Sequence, residues 1–198
     1  MHVLAVHGQT VKTMTGEYYL EGVREVGSGF KLNADSSFEF FFSYGALDRY
    51  GAGTWQIKDG KVVLNSKPQP EKDFAMVASS IRPGNKTTIR IIENNAMLLP
   101  YVTAVVRYKE GEDTLRTDSQ GMITFPMKEV RSVSLVFEFC AERYSTFEIK
   151  EPTHNFFEFR FEPWLMEVFF SNFSLAADKS GLRGKHPLIQ GEQFHYNK

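Results

Sequence analysis

The sequence predicts an all-β protein: a small antiparallel meander or partly open barrel followed by a β-sandwich. Three observations carry this. The chain holds 18 Phe and 8 Tyr, which together with many Val and Ile favour half-buried strands over long helices. Apolar and polar residues alternate over short runs, the period of a strand with one covered face. Gly, Asn, Asp and Pro punctuate those runs at turn spacing.

Taken in order, Glu17 to Glu25 partly alternates, Gly27-Ser28-Gly29 interrupts, and Phe30-Lys31-Leu32 resumes a short strand. Ala34 to Ser37 reads as a turn, and Phe38, Phe40 and Phe42 then share one strand face, which leaves Phe41 needing cover on the other. Gly53 to Ile57 and Val62 to Leu64 pair through the tight turn Asp59-Gly60. Pro68 and Pro70 disfavour a central strand and mark an edge, a loop or a boundary. Phe74 to Ile81 and Thr87 to Ile92 follow as strands, and Glu93-Asn94-Asn95 breaks the pattern, so the domain junction is placed near residue 95. The predicted domains are 12–95 and 96–198.

In the second, Tyr101 to Lys109, Leu115 to Thr117, Met122 to Met127 and the apolar face Val133-Leu135-Phe137-Phe139 are strands. Phe147 to Lys150, Phe156 to Phe161 and Trp164 to Phe170 add three more, the last of which also fits a helix. The tail from Asp178 to Lys198 mixes turn formers with short apolar groups as ordinary domain material.

Gly16-Glu17-Tyr18-Tyr19-Leu20, Gly29-Phe30-Lys31-Leu32 and the stretch from Phe38 to Trp55 resemble the small lipocalin-like barrels of uncharacterised bacterial two-domain proteins. The first unit is short for a ligand-holding barrel, so a filled interior is expected. Residues 101 to 139, above all Thr117 to Pro126, resemble transthyretin-like or carboxypeptidase-regulatory-like β-sandwiches. That resemblance implies a structural or accessory module rather than an active site.

Lys plus Arg number 23 against 24 Asp plus Glu, a balance that argues against nucleic acid and other polyanions as partners. No apolar run suits an integral membrane segment, and the first sixteen residues lack a leader signature. Both a cytoplasmic location and export after loss of a leader fit the chain. The single cysteine, Cys140, rules out a disulfide within the chain, and its place after a Phe-rich strand suits burial.

The densest mixed-polarity segment is Ser43 to Gly53. In one reading it is a barrel-mouth loop where Tyr44 and Tyr50 frame a small-molecule ligand while Arg49 pairs with an anion or with Asp48. In the other it is a capped hairpin with an ordinary ion pair. Its glycines lack the spacing of a dinucleotide fingerprint, and no phosphate loop, nucleophile elbow or zinc helix occurs, so no catalytic residue, metal site or cofactor is assigned. Ser171, His154 and Glu158 are the kind of hydrolytic set found in most chains of this length. His154, His186 and His195 are too dispersed for a local zinc motif.

Two functions follow. One is a noncatalytic binding, structural or assembly module whose partner is a protein or a small molecule, with a homodimer as a further arrangement through an exposed strand edge. The alternative is a small-molecule-binding barrel, or a hydrolase with a cleft between the domains.

Overall fold

Alternation of apolar residues does build strands almost throughout residues 14–198, which are the residues described in the computed structural model. The expectation of no leader, and the first residues of the predicted 12–95 domain, fall partly on residues 1–13, outside the described residues. The strands are β1 (Gly16–Leu20), β2 (Val26–Leu32), β3 (Ser37–Tyr44), β4 (Leu47–Lys58), β5 (Lys61–Asn65), β6 (Phe74–Ser80), β7 (Lys86–Ile92) and β8 (Val102–Tyr108). They continue as β9 (Gly111–Arg116), β10 (Met122–Pro126), β11 (Val130–Phe137), β12 (Cys140–Glu148), β13 (Phe156–Phe161), β14 (Phe173–Ala177), β15 (Gly181–Gly184) and β16 (Phe194–Asn197). Among the described residues no helix is long and apolar enough to cross a membrane.

The chain divides into two units, but not at residue 95. One unit runs to Gln69 and resumes at Met166–Lys198; the other is Pro70–Leu165. The first is a closed barrel in the order β1-β16-β15-β14-β5-β4-β3-β2, so it is fully closed rather than partly open. Its closure explains the corrected boundary. The five N-terminal strands leave two edges unpaired, and only the tail supplies the partners, through Phe173↔Leu64 on one side and Tyr19↔Asn197 on the other. The Pro68 to Pro70 run, read as an edge, loop or boundary, is where the chain leaves the barrel. Strands β6 and β7, assigned by sequence to the first domain, belong to the second unit.

Inside the barrel, Tyr18, Phe30, Leu32, Phe38, Phe40, Phe42, Trp55, Val62, Leu64, Leu175, Leu182 and Tyr196 form one buried cluster with Val168 and Phe170. Alternation along the strands turns these residues inward. Gly27-Ser28-Gly29 is not a turn but lies within β2, where Ser28 points inward and Gly29 sits outward. Trp164 to Phe170 is neither a regular strand nor a helix. It turns and then lies along the part of β4 that short β5 leaves uncovered, forming a parallel bridge between Tyr50 and Glu167. The Tyr50 amide donates to the Met166 carbonyl and the Val168 amide to the Tyr50 carbonyl. This return segment drives the Phe170 ring among Phe30, Phe38, Phe40 and Phe173, at centroid distances of 5.2 to 6.1 Å. Gly51 makes room: a Cβ there would lie 2.7 Å from both the Phe170 ring and the Val168 carbonyl oxygen.

The second unit has two four-stranded sheets, ordered β10-β7-β13-β6 and β12-β11-β8-β9. All pairs are antiparallel except β7 with β13. Rings from the two sheets meet, with Phe137 on Phe161 at 5.2 Å and Phe147 on Phe159 at 5.0 Å. The predicted sandwich is thus present, inserted into the barrel sequence rather than following it. Its first and last segments are tied together: Trp164 Nε1 donates to the Lys72 carbonyl, the Glu162 amide to the Asp73 carbonyl, and Arg143 grips the Asp73 carboxylate and the Pro70 carbonyl. Cys140 is buried, as its setting suggests.

Candidate functional site

The four sequence-selected residues sit on one hairpin, and strand geometry separates them. Pairing of Tyr44 with Leu47 leaves a two-residue turn, Gly45-Ala46, with Gly45 at φ +59° where a side chain would be strained. From that turn the register is fixed: Ser43 faces Asp48, Phe42 faces Arg49 and Phe41 faces Tyr50. Tyr44 and Arg49 therefore share the inward side, whereas Asp48 and Tyr50 point outward. Arg49 is only 7 % exposed, and its Nε donates to the Met166 carbonyl at 3.5 Å. Adjacent in a strand, Asp48 and Arg49 face opposite sides of the wall, so the expected loop with Arg49 turned to Asp48 is replaced by a flat hairpin. The strand pair thus divides the four between its two sides.

The barrel interior is occupied by its own side chains, and among the described residues His186 is the one imidazole there. It is 5 % exposed and surrounded by Phe40, Phe42, Phe194 and Tyr196. Its Nδ1 accepts the Leu188 and Ile189 amides, both at 3.0 Å, so the proton resides on Nε2. That N–H donates to Ser28 Oγ at 3.0 Å, and the serine hydroxyl donates onward to the Phe41 carbonyl at 2.8 Å. Burial pushes the imidazole down to about 4. A neutral, fully engaged histidine of this kind seals the loop between β15 and β16 onto the barrel core.

The outward side of β1 to β4 carries the feature that sequence reasoning missed. Tyr19 pairs with Gly29, Gly29 with Phe41 and Phe41 with Tyr50, so three aromatic rings line up across four strands. They remain 50 %, 42 % and 50 % exposed; among the described residues the cover expected over Phe41 is partial, supplied by the Tyr19 ring. Gly29 is the gap in the row. A Cβ there would lie 2.8 Å from the Phe41 ring, and its absence lets Tyr19 and Phe41 meet edge to face at 6.0 Å. The Tyr19 hydroxyl donates to Glu17 at 2.6 Å, which fixes that ring, and Lys31 lies 3.8 Å from the same carboxylate. Two polar rows flank the rings: Glu17, Lys31 and Glu39 toward one end of the strands, Ser43 and Asp48 toward the other.

The catalytic candidates fare differently. In the second unit Ser79 Oγ and His154 Nδ1 are 2.7 Å apart, a nucleophile-to-base distance. Among the described residues no carboxylate is hydrogen-bonded to that imidazole. His186 and His195 each engage a different serine, Ser28 and Ser180, and no group of three metal-ligating side chains occurs among the described residues. Trp55 Nε1 donates to the Asn33 carbonyl from within the barrel core, and Trp164 Nε1 donates to the Lys72 carbonyl.

Comparison with protein-family models, with curated proteins and with solved structures finds no match for this chain.

Proposed function

We propose that this protein is a noncatalytic binding module that engages its partner through the outer face of β1 to β4. The observation that carries the reading is the aromatic row of Tyr19, Phe41 and Tyr50, held half-exposed on a rigid closed barrel. Tyrosine and phenylalanine offer a large contact area with few rotatable bonds to immobilise, and a wall braced on both sides keeps them in place without a ligand. The filled interior supports an outer rather than an internal site. Of the four residues first singled out, Tyr50 belongs to this face as a ring, and Asp48 stands in the adjoining polar row.

The test is a parallel screen of the wild-type chain and the triple variant Tyr19→Ser, Phe41→Ser, Tyr50→Ser on a saccharide array and against a displayed random-peptide library. The reading expects binders that distinguish the two proteins. Binders indifferent to the triple substitution, or none at all, overturn it.

The hydrolytic reading has one observation in its favour, the Ser79–His154 pair. Labelling of Ser79 by a fluorophosphonate probe, abolished by His154→Ala, would establish it in place of the binding reading.

A further inference from the structure

Resting on that reading of the outer face, we infer that the aromatic row binds a short neutral oligosaccharide laid across β1 to β4. The first argument is shape and area. The rings form a stripe one residue wide, about 14 Å long across three strand spacings. Three half-exposed rings offer on the order of 300 Å² of aromatic surface. A stable protein interface needs about 800 Å² from each partner with an apolar centre. Here the stripe is bounded on both sides, about 7 Å away along the strands, by polar and charged rows. A protein partner would have to bury those rows to reach the rings.

The second argument is chemical complementarity. A pyranose is apolar on its C–H faces and polar around its rim, and this surface has the same pattern: an aromatic floor with hydrogen-bonding edges. Glu17, Glu39 and Asp48 accept from sugar hydroxyls, Lys31 donates, and Ser43 does both. The third is charge. Those carboxylates disfavour an anionic polysaccharide at the same place. The planes of Tyr19 and Phe41 are inclined at 61°, so a sugar stacked on one ring would meet the other at an angle.

The experiment is affinity electrophoresis of the full chain in native gels containing glucomannan, xyloglucan or dextran, with polygalacturonate as the anionic comparison. At least one neutral polysaccharide is expected to retard the wild type, and added salt should leave the retardation in place. Tyr19→Ala and Tyr50→Ala should each weaken it on the order of tenfold, whereas Tyr50→Phe, which keeps the ring, stays within a few-fold of wild type. Tyr144→Ala, an equally exposed tyrosine in the other unit, should change nothing. Melting curves establish that each variant is folded. If no neutral polysaccharide retards the protein while row-dependent peptides emerge from the screen above, the saccharide assignment falls and the binding module stands. If neither appears, both fall. Retardation by polygalacturonate alone, or retardation indifferent to Tyr19→Ala and Tyr50→Ala, also overturns the assignment.

Discussion

Both sides of the β1 to β4 wall carry aromatic rings, yet those rings do different things. Inward, Phe30, Phe38, Phe40 and Phe42 are almost completely buried, the first three packing against Phe170 and Phe42 against His186; outward, Tyr19, Phe41 and Tyr50 stay near half exposure. Alternation alone assigns each ring its side, since one step along a strand reverses the face. The contrast teaches that aromatic content has no single meaning here. A ring stabilises the barrel only if the opposite wall, or a segment crossing it, closes over that ring.

Phe170 lets this difference be broken most severely. It touches four other aromatic rings of the barrel core, and Phe170→Ala should cost about 3–5 kcal/mol, read as a lowered urea midpoint at unchanged slope. A loss below about 1 kcal/mol would mean that the return segment does not fill the barrel.

The next effect depends on acidity. His186 titrates near its ordinary 6.5 in the unfolded chain but only at about 4 when folded, so the folded barrel binds the proton less readily. Its contribution is complete above pH 6.5 and declines as the pH falls toward 4, by about 3 kcal/mol in all. His186→Gln should lose that component of acid sensitivity. Equal pH dependence of wild type and variant between 6.5 and 4 would remove His186 as the cause.

Smaller still is Gly51→Ala, which places a methyl group against the Phe170 ring and the Val168 carbonyl and should cost about 1–3 kcal/mol. Smallest is Phe41→Ser on the outer face, expected to change stability by about 0.5 kcal/mol or less. A large loss there would show that the outer row serves folding, which would weaken its reading as a binding face.

Much of this architecture is legible in residue order, and its limits have physical causes. Phe38, Phe40 and Phe42 announce an inward face, and Asp59-Gly60 announces a hairpin whose two turn residues both adopt positive φ. Barrel closure is not legible, because it depends on pairs such as Leu64 with Phe173 and Tyr19 with Asn197. Nothing local encodes partners so distant, and β15, with four residues, is too short to show a period. Part of the candidate site was within reach. Once Gly45-Ala46 is read as a two-residue turn, counting outward puts Tyr50 beside Phe41 and sends Arg49 to the other side. Tyr19 was not reachable this way, since the connection from Glu21 to Glu25 fixes no register.

The interrupted barrel has a consequence for the order of events during synthesis. When β5 leaves the ribosome the wall is still missing β14, β15 and β16, and more than a hundred residues must follow before Leu64 meets Phe173. The inserted sandwich is complete first. By knotting its own first and last segments together through Lys72 with Trp164 and Asp73 with Glu162, it turns a long, entropically costly closure into a short one. Truncation of nascent chains after residue 165 should thus yield a protease-resistant sandwich carrying an unfinished, protease-sensitive half-barrel.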